Sequence, residues 1–269
     1  MPSSRSASPI SPASEEAPLP SAAAALATKI VLAPLLLTQA LRTRRLAQRL
    51  PEADGAREGC TEGDPGASLR LLIAGDSSAA GVGVAQQDDA VVGHLVRALH
   101  RQCGRRIAWT LRARTGLTTR AVHELLRSEP PAPVDFAVVI SGVNDVTGGV
   151  GVRRALGHRT ALADWLLGAN LARHVVFAPL PPLHRFPLLP EPLRRVLGDD
   201  ARRHDLALAR WTQDRTDVSH AGFRVDLHPG VMASDGFHPG EPVYRACGDA
   251  LAAHVACRLS AQSARLRDD

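Results

Sequence analysis

A doubly wound parallel α/β sheet sandwiched between helices is the fold this sequence predicts, on three observations. Short runs apolar throughout recur from residue 69 onward. Longer segments with helical spacing separate them, and three of the runs lead directly into Gly75, Gly116 or Gly142. Strands covered on both faces read as continuous Val/Ile/Leu runs, whereas a helix covered on one side repeats its apolar residues every three to four positions. Alternation of the two kinds points to a parallel sheet with helices on both faces.

Leu69-Arg70-Leu71-Leu72-Ile73-Ala74 is the first such strand and ends at Gly75. In the following segment, 89–102, Ala90, Val91, His94, Leu95, Ala98 and Leu99 share a helical face. Residues 107–114 predict the second strand, and Thr118-Thr119 a cap for a helix over 118–127. A third strand is expected over 136–141, a helix over 152–168, a fourth strand over 174–180 and a helix over 192–213. The last helix runs over 242–259. In such sheets ligands bind beyond the carboxyl ends of the strands, so the segments after Gly75, Gly116 and Gly142 belong along one edge.

Upstream of residue 69 the chain reads differently. Residues 1–20, rich in Pro, Ser and Ala, predict a disordered tail. Residues 21–50 form an apolar segment with Lys29 and Pro34 inside and Arg42, Arg44, Arg45 and Arg49 behind it. It fits three descriptions: a signal-peptide core with an atypical charged start, an interfacial helix with a basic flank, or a helix packed on the domain. Residues 51–68, rich in Gly, Glu, Asp and Pro, read as a linker, and 69–269 as one domain. The compartment is accordingly open between cytoplasmic, membrane-associated and exported.

Composition excludes some functions. The chain carries a net charge of +5, but its basic residues are scattered, nearly all Arg, and not interleaved with aromatics, which argues against a nucleic-acid partner. Only 3% of the residues are aromatic, so Leu, Val and Ala fill the core. Cys60, Cys103, Cys247 and Cys257 have no metal-binding spacing and read as small buried apolar side chains. Gly75-Asp76-Ser77-Ser78-Ala79-Ala80 does not fit GxGxxG, and no Walker lysine follows.

Four segments carry the chemistry: Gly75-Asp76-Ser77, Gly116, Gly142-Val143-Asn144-Asp145 and Asp235-Gly236-Phe237-His238. A serine at a helix N-terminus has free N–H groups beside it, suited to a developing oxyanion, although such a serine alone is equally an N-cap. The turn at Gly116 exposes another N–H, and the Asn144 amide is a third donor, or the centre of an Asx-type turn. Asp145 reads as structural, a cap for the helix after Gly148-Gly149. Asp235 and His238, three apart before the last helix, let a carboxylate hold Nδ1–H while Nε2 faces a serine. Imidazole suits the task because its pKa lies near working pH. Asp226 and His228 form a less well placed i, i+2 alternative.

In this order the four segments resemble the blocks of the SGNH hydrolase family, also called GDSL esterases/lipases, over about residues 69–259. Ser78 stands where many members have leucine, and the second block, Thr115-Gly116-Leu117-Thr118, is matched mainly by position. The resemblance implies a flavodoxin-like three-layer α/β/α sandwich with about five parallel strands. It makes Ser77 the nucleophile, His238 the base and Asp235 its orienter. The N–H groups of Ser77 and Gly116 and the Asn144 side chain form the oxyanion hole. No metal or cofactor is called for. The implied reaction is two-step hydrolysis of a small-molecule or lipid acyl ester, as in a carboxylesterase or lysophospholipase-like enzyme, with the proline-rich segment 179–190 as a candidate acyl-pocket wall. An acyltransferase, a carbohydrate acetylesterase and a non-catalytic lipid- or partner-binding module are the alternatives.

Overall fold

The computed structural model describes residues 18–268. The tail expected over residues 1–20 lies, up to residue 17, outside the described residues. In chain order the elements are α1 (Ala22–Leu46), β1 (Glu58–Cys60), β2 (Leu69–Gly75), α2 (Val91–Cys103), β3 (Ile107–Ala113), α3 (Thr119–Ser128), β4 (Val134–Ile140), α4 (Val143–Thr147), α5 (Val152–Gly168), β5 (Ala172–Phe177), α6 (Leu193–Thr212), β6 (Val218–His220) and α7 (Glu241–Asp268).

Six strands form one sheet in the order β1-β3-β2-β4-β5-β6. The five from β2 to β6 are parallel, and β1 adds an antiparallel edge to β3. The α/β sandwich is therefore as expected, with two additions. The segment read as a linker contributes β1, which pairs Glu58, Gly59 and Cys60 with Thr110, Trp109 and Ala108. Its Gly/Asp/Glu-rich composition concealed the strand because β1 is exposed at the sheet edge and held by backbone pairing rather than by apolar burial. The fifth parallel strand is β6, three residues long and too short to register as an apolar run.

Continuous apolar runs suit strands whose two faces both meet helices, and β2 shows the division. Leu69, Leu71 and Ile73 pack with α2 and α7 on one face, whereas Leu72 and Ala74 pack with α3, α5 and α6 on the other. Burying one such Leu or Ile stabilises the fold by roughly 1.5–3 kcal/mol. Local signals set the helix ends: the Thr118 side chain accepts from the N–H of Ala121 at the start of α3, and Gly104 closes α2 in the left-handed conformation. The cysteines depart from expectation: Cys60 and Cys257 are exposed, Cys103 and Cys247 partly so, and all four are free thiols.

β2 pairs with β3 on one side and β4 on the other, so the chain reverses its winding at β2. Such a switch point opens a crevice at the carboxyl ends of the strands. Ser77 lies there. A third apolar cluster closes the crevice from above and joins Leu180, Leu183, Phe186, Leu189, Leu193, Leu227 and Val243.

Candidate active site

The crevice is built by close backbone approach. A Cβ on Gly75 would lie 2.1 Å from the Ile140 carbonyl oxygen, so only glycine lets the end of β2 sit this tightly against β4. Gly83 (φ +109°) does the same further on: a Cβ there would meet the Pro239 carbonyl oxygen at 2.3 Å. The loop after Ser77 is thereby pressed against the loop that carries His238.

That second loop is organised by one carboxylate. Asp235 Oδ1 accepts from the N–H groups of Phe237 and His238, both at 2.9 Å, and Oδ2 accepts from His238 Nδ1 at 2.6 Å. With Nδ1 donating, Nε2 is left bare and lies 3.0 Å from Ser77 Oγ. The imidazole is further held edge-on by Phe237, which stands edge-on to Phe186 in turn. Burial raises the Asp235 pKa, but the hydrogen bonds from His238 and Phe237 outweigh it and hold the carboxyl below its usual range. Asp76, fully enclosed beside Ser77, goes the other way: burial pushes it up to about 7, against the hydrogen bond from Ser78 and the nearby His238.

Gly116 and Asn144 follow the ends of β3 and β4, the strands that pair with β2 on either side. Among the described residues, the N–H groups of Ser77 and Gly116 donate to no protein acceptor. Asn144 donates one amide hydrogen to the Leu117 carbonyl at 3.1 Å, which fixes the plane of the amide. Asp226 and His228 do not join this group; Asp226 pairs with Arg185, and His228 is exposed. Asp145 is structural, as expected, but its partner is different. Its Oδ2 accepts from the N–H and Oγ1 of Thr119, at 3.0 and 2.6 Å, so it ties α4 to the start of α3 rather than capping α5.

Ser77 and His238 open onto a cavity of about 340 Å³. Pro179, Leu180, Pro182 and Phe186 form one wall, as the proline-rich segment suggested, and Phe223, Leu227, Val243 and Leu251 form others. The residues after β6 and the inner face of α7 carried no recognisable motif. Their membership of the site follows from the chain path alone. Arg159, 1% exposed, was also missed. Its guanidinium lies beneath Gly142, and burial lowers its pKa against the raising influence of Asp145 and Asp205. Among the described residues no cluster of His, Cys, Asp and Glu could hold a metal ion.

A switch-point crevice with a serine, a histidine and a carboxylate in one hydrogen-bonded line is the arrangement that acyl transfer through a serine requires. Residues 73–246 match the model of the GDSL-like lipase/acylhydrolase family, and the chain belongs to that family. The sequence is 29% identical over 198 residues to the GDSL-like esterase Rv1075c of Mycobacterium tuberculosis, a match covering 68% of this chain and 60% of the relative's length. The fold is similar to that of the lipase Lip_vut3 from a goat rumen metagenome (TM-score 0.56, 15% identity, 69% of this chain and 96% of that one). It is also similar to the psychrotrophic esterase EstA from Pseudoalteromonas sp. (TM-score 0.50, 20% identity, 71% and 98%). The chain thus spans about three fifths of the length of the curated relative it matches.

Proposed function

We propose that the protein hydrolyses carboxylic acyl esters through an acyl-enzyme on Ser77. His238 takes the Ser77 proton as Oγ attacks the acyl carbonyl, returns it to the leaving alcohol, and then activates the water that releases the acid. Asp235 keeps the imidazole in the required tautomer. The Ser77 and Gly116 N–H groups and the Asn144 amide receive the developing oxyanion. The observation that carries the reading is the continuous line Asp235 Oδ2–His238–Ser77 Oγ, with gaps of 2.6 and 3.0 Å, at the end of an apolar-walled cavity. Enclosure strengthens each of these electrostatic contacts relative to water. The walls favour an acyl chain longer than acetyl, hence a carboxylesterase or lysophospholipase-like activity rather than a carbohydrate acetylesterase.

EstA is described as inhibited by monoethylphosphonate, and the same chemistry tests this chain. A fluorophosphonate should add its mass to the peptide containing Ser77 and abolish turnover of a p-nitrophenyl butyrate substrate. Labelling elsewhere, with hydrolysis intact in Ser77→Ala, would sink the reading.

A further inference from the structure

Helix α1 is turned inside out for a helix in water. Its half-buried positions are Ala25, Lys29, Leu32, Leu36, Gln39, Ala40 and Thr43, a stripe at helical period that faces the domain. The two strongly polar side chains between Ala22 and Leu41 lie in that stripe and are used there. Lys29 pairs with Asp200 on α6 at 2.6 Å, and Gln39 bonds the Glu191 carbonyl and the Leu193 N–H. The opposite side carries Leu26, Ile30, Val31, Leu35, Leu37 and Leu41, each 46–76% exposed. A surface helix of a water-soluble domain has the reverse arrangement, and an apolar patch of this extent marks an interaction surface.

We infer that the outward face of α1 is a docking surface for an anionic lipid bilayer, in which the helix lies in the plane of the surface without crossing it. Three features select this partner. Arg42, Arg44, Arg45 and Arg49 follow the apolar face, all exposed, and supply the charge that anionic headgroups attract. The hydroxyls of Thr28 and Thr38 are already bonded to the carbonyls of Ala24 and Pro34, at 2.9 and 2.8 Å, so entry into lipid strips no hydrogen bond from them. Finally, the contacts from Lys29 to Gln39 bind α1 lengthwise to α6, which carries Arg194, Arg195, Asp199, Asp200, Arg202 and Arg203. A helix crossing the membrane would have to drag this charged neighbour into hydrocarbon or break the contacts, whereas one lying in the interface keeps them. Leu36 and Ala40 pack on the cluster whose Leu180, Phe186, Leu227 and Val243 line the cavity, so the docked face sets the cavity beside the bilayer.

Flotation of the full chain with vesicles tests this. Wild type should float with phosphatidylcholine/phosphatidylglycerol vesicles and less with phosphatidylcholine alone. Leu26→Glu/Ile30→Glu/Leu37→Glu should cut the bound fraction at least tenfold with melting temperature little changed, because these side chains are 59–66% exposed and belong to no core cluster. Arg42→Gln/Arg44→Gln/Arg45→Gln should weaken binding roughly fivefold per arginine, on anionic vesicles only. The inference is overturned if wild type does not float, or if the triple Glu variant floats equally. It is also overturned if bound protein resists alkaline carbonate extraction as a spanning helix does. Purified protein whose mass shows α1 removed as a leader, or a lipid-free dimer that the triple Glu variant dissolves without any flotation, would overturn it too. Flotation needs no turnover. Loss of rate on a vesicle-borne ester, with a soluble ester unaffected, would extend the inference to the proposed activity, and no hydrolysis of either would break the activity alone.

Discussion

Among the described residues two serine–histidine groups have hydrogen bonds of nearly the same length in very different settings. At the sheet edge Ser77 Oγ lies 3.0 Å from His238 Nε2. Inside the fold Ser219 Oγ on β6 lies 2.8 Å from His174 Nε2 on β5 and 2.9 Å from His254 Nε2 on α7. By distance alone the internal group is at least as good. It differs in what surrounds it: Ser219 is 1% exposed and does not line the cavity beside Ser77, and among the described residues neither of its histidines is hydrogen-bonded to a carboxylate. Burial lowers both rings to about 4, which keeps them neutral near pH 7. A serine becomes a candidate nucleophile when an anion stabilises its histidine as imidazolium and a substrate can reach it. Only the edge group has both.

The sharpest way to break this contrast is to remove a histidine from each group. His238→Ala should lower kcat by roughly 10⁴ or more on a soluble ester. His254→Ala should leave kcat within about twofold and instead cost roughly 1–3 kcal/mol of stability, because buried Ser219 loses a hydrogen-bond partner. Measuring kcat and melting temperature on the same preparations decides the matter, and equal kcat losses would erase the distinction drawn above.

Next in size is Asn144. If its free amide hydrogen serves the oxyanion, Asn144→Ala should reduce kcat by about 10²–10³ with KM little changed. The lost bond to Leu117 should cost only about 1 kcal/mol of stability. A large fall in melting temperature with kcat preserved would make the residue purely structural.

The smallest effect separates the two groups by pH. The internal histidines have folded pKa values near 4, below the ordinary 6.5, so between these limits the unfolded chain binds more protons than the folded one. Their contribution to stability is therefore present above about pH 6.5 and lost as pH falls toward 4. Asp76 opposes this, since its raised pKa favours the fold at lower pH, so the variant must be compared with wild type at each pH. His174→Gln/His254→Gln should reduce the fall of denaturation midpoint with acid relative to wild type. An unchanged slope would mean that other groups govern it.

Much of this was legible in the sequence because it is written in short range. The runs at 69–74, 107–114, 136–141 and 174–180 are buried on both faces, and continuous apolar composition is the direct signature of that environment. Ser77, Asp235 and His238 were proposed from a glycine-led strand end, the i, i+3 spacing before the last helix and the resemblance of the four segments to a known family. β1 escaped notice because an exposed edge strand is held by main-chain bonds, which composition does not report. Asp145 was read with the wrong helix because a side chain in a loop can cap any helix start that the fold brings near, and here that was Thr119.

By itself, then, the sequence determined the alternation of strand and helix, the edge of the sheet that carries the chemistry, and the residue types gathered there. These follow from local burial and backbone conformation, which operate over a few residues. Only the tertiary structure decided which partners meet across long separations. It brought Ser77 to His238 across 161 positions and Lys29 to Asp200 across 171. It also decided that α1 turns Lys29 and Gln39 to the domain and leaves Leu26, Ile30, Val31, Leu35, Leu37 and Leu41 outside. The physical reason is that a helix reads the same from every side in sequence, and its inward face is fixed only by the complementary groups that another element presents.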